Sequence, residues 1–143
     1  MIETASYNVL AFSASSLPSQ YTPMVYSQWL RSLRFGALGD AFKKIDSDEF
    51  YSHYHRFISN LMSKPDCVIR LAVLPDDIDV CLGFSVSRED VLDYVYVQKA
   101  YRRLGIAKAL VPKNITVVTH MTKTGLIIWQ EKYKTEWKFN PFA

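Results

Sequence analysis

A basic turn between two apolar segments is the part of the sequence whose residue types best suit anion binding. Residues 95–110 run from alternating apolar residues, through Tyr101, Arg102 and Arg103, into the start of an amphipathic helix. A strand that leads into a helix N-terminus presents backbone N–H groups without helical partners, and such groups bind anions. The sequence therefore predicts an anion site at this strand–helix junction, with pyrophosphate as the anion.

The residue types in the turn suit close contact with phosphate. Gly105 has no Cβ to keep a phosphate away from the backbone, and Ala107 is small for the same reason. Arg102 and Arg103 add guanidinium groups, which form bidentate contacts with phosphate oxygens. The alternative is an ordinary surface helix with a basic first turn, although cations at a helix N-terminus are unfavourable unless an anion is present.

The hexapeptide from Arg102 to Ala107 fits the pattern Arg/Gln-x-x-Gly-x-Gly/Ala. It resembles motif A of the GNAT superfamily of N-acetyltransferases, whose members bind acetyl-CoA there. The resemblance implies that backbone amides hold the phosphates, here those of Arg103, Leu104, Gly105, Ile106 and Ala107. In that family the fourth and fifth strands splay apart, and the pantetheine arm pairs with the fourth strand like an added strand. The corresponding backbone in this sequence belongs to Val95, Tyr96 and Val97.

The apolar periodicity predicts the element order β-α-α-β-β-β-α-β-α-β. Strands are expected over 7–14, 67–74, 78–87, 91–97, 115–119 and 137–142, and helices over 24–35, 46–62, a short stretch before Pro112, and 123–132. This order matches the GNAT arrangement, a mixed α/β (α+β) fold with a central mixed sheet of about six strands flanked by helices. We expect one acyl-CoA-binding domain over residues 1–143.

Length and composition narrow the class of protein. The chain has 143 residues, 49% of them hydrophobic, which is enough for a sizeable core. The net charge of +3 tolerates an anionic co-substrate but does not favour a nucleic-acid binder. No apolar run approaches the roughly 18–20 residues that span a bilayer, and the two cysteines are typical of buried thiols in a cytoplasmic protein. The sequence leaves open whether the chain forms a homodimer.

The GNAT resemblance implies direct attack of an amine on the thioester of acetyl-CoA, and an amine needs a base to accept its proton. Asp93 on the fourth strand and Glu89 just before it are the nearest carboxylates, and His120 after the fifth strand is a second candidate. The alternatives are a solvated strand edge and turn for the two carboxylates, and a packing or capping role for His120. No metal site is expected.

Two departures from the GNAT pattern bear on catalysis. Many members carry Asn-x-x-Ala-x-x-x-Tyr after the fifth strand, and that Tyr often protonates the leaving thiolate. Here Thr122, Gly125 and Trp129 fall on that spacing, and an indole N–H cannot supply a proton. Tyr133 lies one helical turn later and is the candidate substitute. The sequence therefore supports two functions: an N-acyltransferase acting on a small or protein amine, and a catalytically degenerate domain that binds a partner protein.

Overall fold

The fold is that of a computed structural model, which describes residues 6–36, 41–102, 104–120 and 137–143. The strands are β1 (Asn8–Ser13), β2 (Cys67–Leu74), β3 (Asp77–Arg88), β4 (Val91–Val97), β5 (Val117–Val118) and β6 (Lys138–Phe139). The helices are α1 (Thr22–Gly36), α2 (Ala41–Lys44), α3 (Ser47–Met62) and α4 (Ile106–Leu110). Short 3-10 turns follow β1, at Ala14–Ser16, and β4, at Lys99–Tyr101.

The six strands form one mixed sheet in sequence order, from β1 to β6. Strands β1 to β4 pair antiparallel, whereas β5 runs parallel to β4 and β6 runs parallel to β5. The parallel pairing of β4 with β5 requires a crossover connection, and α4 lies within it. The mixed sheet flanked by helices confirms the predicted fold class.

The helices cover the two faces of the sheet unequally. Apolar residues of α1 and α3, among them Trp29, Leu33 and Ile58, pack with β2 and β3 in the larger buried cluster. On the other face, Ile106 and Leu110 of α4 pack against a smaller set, Ala72, Leu82 and Val97. Since side chains alternate along a strand, β2, β3 and β4 each supply residues to both clusters.

Most predicted elements form close to their expected bounds, and the local chemistry explains why. β2 and β4 begin and end at the predicted residues. The helix predicted from Asp46 begins there because its side chain caps the helix, accepting the N–H of Glu49 at 3.3 Å. α4 ends before Pro112, as its short predicted length required.

The differences lie in the shortest elements. The strand predicted over 115–119 is reduced to two residues, and the closing strand predicted over 137–142 is formed only by Lys138–Phe139, before Pro141. α2, a four-residue helix, was not predicted. The helix predicted over 123–132 lies outside the described residues. None of the described helices is long and apolar enough to cross a membrane.

Candidate active site

The pairing of β4 with β3 shifts in register at Asp93, in the middle of β4. Its pairing with β3 runs Val86↔Tyr94 and then Ser87↔Leu92, so Asp93 is an extra residue. One extra residue in one strand of an antiparallel pair is a β-bulge, which bends the strand and redirects its groups. The bulge directly follows Leu92, the last residue of β4 that pairs with β5.

Strand β5 accompanies β4 only at the start of β4, as far as the described residues go. The paired residues are Val91↔Val117 and Leu92↔Val118, and the last backbone bond runs from the Thr119 N–H to the Leu92 carbonyl at 3.0 Å. The edge of β4 from Asp93 onward therefore has no pairing with β5. The splaying of the fourth and fifth strands that the GNAT resemblance implies stays a prediction.

The backbone groups of β4 beyond the bulge can be assigned to one edge or the other. The Gln98 N–H donates to the Leu82 carbonyl at 2.9 Å, and the Tyr96 carbonyl oxygen faces β3, only 2.6 Å from where a Cβ on Gly83 would lie. Backbone groups alternate along a strand, so those of Val95 and Val97 face away from β3, toward the gap. The backbone of Tyr96, one of the three residues predicted to pair with pantetheine, therefore faces β3 and not the gap.

The Val97 carbonyl already has a partner. Arg102 donates its Nε–H to this oxygen at 2.9 Å, and its Cζ lies 5.8 Å from the centre of the Tyr96 ring. The guanidinium therefore folds back over the end of β4 and fixes it. The backbone of Val95 also faces the gap, and neither β3 nor Arg102 engages its N–H or its carbonyl.

The turn before α4 is open on the side of its backbone. Gly105 has φ +81°, a left-handed conformation that favours glycine, and among the described residues no atom beyond its chain neighbours lies within 4 Å of where its Cβ would be. The first helical bond is donated by Ala109 to the Gly105 carbonyl, so the N–H groups of Ile106 and Ala107 have no partner within the helix. Leu104 is exposed, whereas Ile106 is buried under the sheet. Arg103 lies outside the described residues.

Asp93 is a buried ion-pair residue. Its carboxylate, 2% exposed, accepts the Nε–H of Arg88 at 2.7 Å and an Nη2–H at 2.9 Å. These hydrogen bonds to Asp93 raise the pKa of the Arg88 guanidinium. With both oxygens engaged, the Asp93 carboxylate is better suited to holding neighbouring groups than to taking a proton from an amine.

Thr119 joins this ion pair to His120. The Thr119 hydroxyl lies 3.0 Å from Oδ1 of Asp93 and 3.0 Å from Nδ1 of His120. Thr119 is buried, while His120 is half-buried and contacts the Phe57 ring of α3 at a centroid distance of 5.3 Å. Two sequence candidates, Asp93 and His120, are thus connected through a residue that the sequence did not single out.

The surroundings of His120 favour the neutral imidazole. Burial lowers its pKa below the ordinary value of 6.5, and the negative charge of Asp93 opposes that shift only in part. A neutral imidazole has one nitrogen with a free lone pair and can accept a proton. Near pH 7, His120 is therefore a chemically suitable base.

The two tyrosines of β4 take different positions. Tyr94 is buried, stacks on Trp29 at 5.3 Å and shares a 2.6 Å hydrogen bond with Ser32, which makes it a core residue. Tyr96 is half-buried beneath Arg102. Tyr133 and Trp129 lie outside the described residues, so the predicted proton donor stays a prediction.

No metal-binding group is found among the described side chains: they include no cluster of three His, Cys, Asp or Glu residues placed to hold an ion. Cys67 and Cys81 are free and buried, and burial raises their thiol pKa values to about 12 and about 11. Thiols with such values are poor nucleophiles at neutral pH.

The sequence missed Arg88 and Thr119 because their significance depends on register. Arg88 ends β3, and Thr119 follows β5, 26 residues after Asp93. The alternation of apolar residues predicts where the strands lie, but it does not predict which side chains of β3, β4 and β5 contact one another. The local sign available was a charged residue, Asp93, inside an otherwise apolar strand, since a buried charge requires a partner.

Comparisons with known proteins show the fold. No protein-family model matches the chain, and no curated protein matches it. A solved structure from Pyrococcus furiosus, provisionally described as an acetyl transferase, superposes with a TM-score of 0.64 at 16% identity, covering 93% of this chain and 95% of that one. The aminoglycoside N-acetyltransferase AAC(6')-Iy, solved in complex with CoA, gives 0.51 at 11% identity, covering 96% and 91%.

These similarities, together with the sheet order, define the class of fold. The chain has the fold of the GNAT acetyltransferases. The resemblance stated from residues 102–107 is thereby confirmed at the level of the fold.

Proposed function

We propose that the protein is an acyl-CoA-dependent N-acyltransferase that moves an acetyl group from acetyl-CoA to an amine. The observation that carries the proposal is the edge of β4 that β5 leaves unpaired from Asp93 onward among the described residues: the Val95 backbone faces away from β3 there, and His120 is linked through Thr119 to Asp93, where that edge begins. An N–H and a carbonyl on a free strand edge can pair with an amide-bearing chain such as pantetheine. The CoA complex of AAC(6')-Iy, which has the same fold, supports this choice of co-substrate.

The proposed phosphate site is the turn from Arg102 to Ala107. Its support is the open left-handed Gly105, the N–H groups of the first turn of α4 and the two arginines of the sequence. Arg102 holds the end of β4 through its Nε–H, so its contribution to phosphate binding is its positive charge near the turn. Arg103, Leu104 and Ile106 keep their predicted roles as backbone donors.

The proposed reaction is direct transfer. The nitrogen of a neutral amine attacks the thioester carbonyl, a C–N bond forms, the C–S bond breaks, and CoA leaves as the thiolate. The proton released by the amine goes to His120, whose lowered pKa keeps the imidazole neutral at pH 7. Tyr133 is the proposed donor of a proton to the thiolate. Asp93, also predicted as a base, acts in this proposal through Thr119.

Calorimetric titration with CoA tests the binding part. We expect Gly105→Asp to weaken CoA binding at least tenfold, about 1.4 kcal/mol, since its carboxylate would repel the phosphates. Gly105→Asn is the matched control: Asn tolerates the left-handed conformation and has nearly the same shape without the charge. The loss with Asp should exceed that with Asn and should shrink as salt is added. Equal affinity for all three proteins would rule out the proposed phosphate site.

Turnover with a panel of amines tests the chemical part. We expect acetyl-CoA consumption with at least one amine, reduced a hundredfold or more in His120→Asn. Asn keeps an N–H near the position of Nδ1, so the contact with Thr119 survives while the base is lost. CoA binding without turnover on any amine would favour the alternative function, a degenerate domain that binds a partner protein.

A further inference from the structure

We infer that Thr119 is a positioning residue that fixes the tautomer of His120, so that Nε2 is the nitrogen that accepts the proton. The role of this nitrogen rests on the proposed function, whereas the tautomer itself is a property of the free protein. The inference rests on a chain of hydrogen bonds that runs from Arg88 through Asp93 and Thr119 to His120. Each donor–acceptor distance in it is 2.7–3.0 Å.

The direction of each hydrogen bond follows from what each group can donate. The Asp93 carboxylate pairs with Arg88 and can only accept. The Thr119 hydroxyl has one proton, and its two neighbours on Asp93 are Oδ1 at 3.0 Å and the backbone carbonyl at 3.4 Å, both acceptors. The hydroxyl proton is therefore committed to Asp93, and its oxygen is left to accept from His120.

The tautomer of His120 follows directly. Nδ1 lies 3.0 Å from the Thr119 oxygen, so a hydrogen bond there requires the proton on Nδ1. A neutral imidazole carries one ring proton, which leaves the lone pair on Nε2, on the far side of the ring from Thr119. The opposite tautomer would place two lone pairs against each other at 3.0 Å in a buried site, which is unfavourable.

The same series helps His120 once it has accepted a proton. The imidazolium keeps its Nδ1–H bond to Thr119, and the Asp93 carboxylate beyond it stabilises the positive charge through the polarised hydroxyl. Arg88 limits this effect by neutralising part of the Asp93 charge. In the serine-protease triad, where a carboxylate orients the histidine, the wrong tautomer costs about 10⁴ in kcat. Here the orienting group is a neutral hydroxyl, and we expect a smaller effect.

The matched variants are Thr119→Val, which keeps the shape and removes the hydroxyl, and Thr119→Ser, which keeps the hydroxyl. Imidazole ¹⁵N NMR of the free protein reads the tautomer without any turnover, with His120 signals assigned by their loss in His120→Asn. We expect the Nδ1–H tautomer in the wild type and in Thr119→Ser, and loss of that preference in Thr119→Val. A wild-type His120 with its proton on Nε2 would overturn the inference, even if Thr119→Val fails to fold.

Kinetics separate this inference from the proposed function. With an amine that the wild type acetylates, we expect Thr119→Val to lower kcat tenfold or more with KM for acetyl-CoA within twofold. Thr119→Ser should stay within threefold of the wild type. An unchanged kcat in a folded Thr119→Val would overturn the positioning role. A wild type without turnover, but with His120 in the Nδ1–H form, would refute the proposed function and leave the tautomer assignment standing.

Discussion

The two halves of β4 differ in how they are held. Its first residues, Val91 and Leu92, pair on both edges, and Asp93 is fixed by Arg88 and Thr119. Beyond the bulge, Tyr94–Val97 pair with β3 alone among the described residues. One inserted residue thus lets a single strand supply both a rigid anchor and an open edge. Function is proposed at the boundary between the two.

The largest expected effect is on the anchored half. Asp93→Asn leaves the Arg88 guanidinium, whose side chain is 12% exposed, without a counter-charge. Breaking a buried ion pair from one side costs about 3–5 kcal/mol of unfolding free energy. Urea denaturation measures the loss.

The double replacement Arg88→Met with Asp93→Leu is the control for Asp93→Asn. It removes both charges together, and exchanging a buried pair for apolar side chains is often close to neutral. We expect it to lose less than half of what the single variant loses. A single variant as stable as the wild type would mean that the ion pair does not anchor β4.

The next effect concerns the half that pairs only with β3. A Cβ at Gly83 would lie 2.6 Å from the Tyr96 carbonyl oxygen and 3.1 Å from the Val97 Cα, and neither backbone atom can rotate away. We expect Gly83→Ala to cost about 1–3 kcal/mol in urea denaturation, as overpacking does. Gly105→Asn, whose Cβ meets no atom of the described residues beyond its chain neighbours within 4 Å, should cost less. The reverse order would contradict the close approach of β3 to β4.

Sequence reasoning succeeded where a local pattern decides the outcome. The bounds of β4 and the short α4 before Pro112 both follow from residues within a few positions of one another. The bulge at Asp93 could not be read in this way, because it is a relation between β3 and β4. The same holds for the contact between Asp93 and Thr119, which depends on β5 lying parallel to β4.

Local patterns also failed for the existence of α2 and for the length of β5. A four-residue helix contains too few residues for a period to be recognised, and the strand predicted over 115–119 forms only at Val117–Val118. Their formation is decided by tertiary contacts: Phe42 of α2 packs against Phe50 at 5.6 Å, and β5 forms where β4 still offers a partner. The motif at 102–107 indicated the fold, whereas the candidate base had to be chosen from three-dimensional geometry.

A smaller effect tests which backbone groups of β4 are free. The Val95 N–H faces the gap, so Val95→Pro removes a donor that β3 does not use. We expect the variant to fold and its CoA affinity to fall about tenfold, the worth of one hydrogen bond. Calorimetric titration measures the affinity.

Two variants serve as controls for Val95→Pro. Val95→Thr keeps the N–H and the branched shape, and should bind CoA like the wild type. Tyr96→Pro removes an N–H that faces β3, and should unfold the protein. Full CoA affinity in Val95→Pro would show that the strand edge at Val95 does not hold the ligand.

The smallest expected effect is a pH dependence of stability at the boundary between the two halves. Burial lowers the pKa of His120 in the folded protein below 6.5, its ordinary value, which the unfolded chain retains. Between these two values the unfolded chain binds more protons, so His120 lowers the free energy of unfolding as the pH falls below about 6.5. His120→Asn removes this contribution. We therefore expect the stability of the wild type relative to His120→Asn to decrease on acidification from about pH 7.5 to about pH 5.

The comparison isolates His120 because the other groups facing it are the same in both proteins. Among the described residues, these are the Thr119 hydroxyl, the Asp93 carboxylate beyond it on β4 and the Arg88 guanidinium paired with that carboxylate on β3. Phe57, which packs on the ring from α3, carries no charge. Thermal denaturation at closely spaced pH values gives the difference curve. A difference that grows on acidification would mean that Asp93 outweighs burial and that the imidazole is charged inside the fold, which would remove the candidate base.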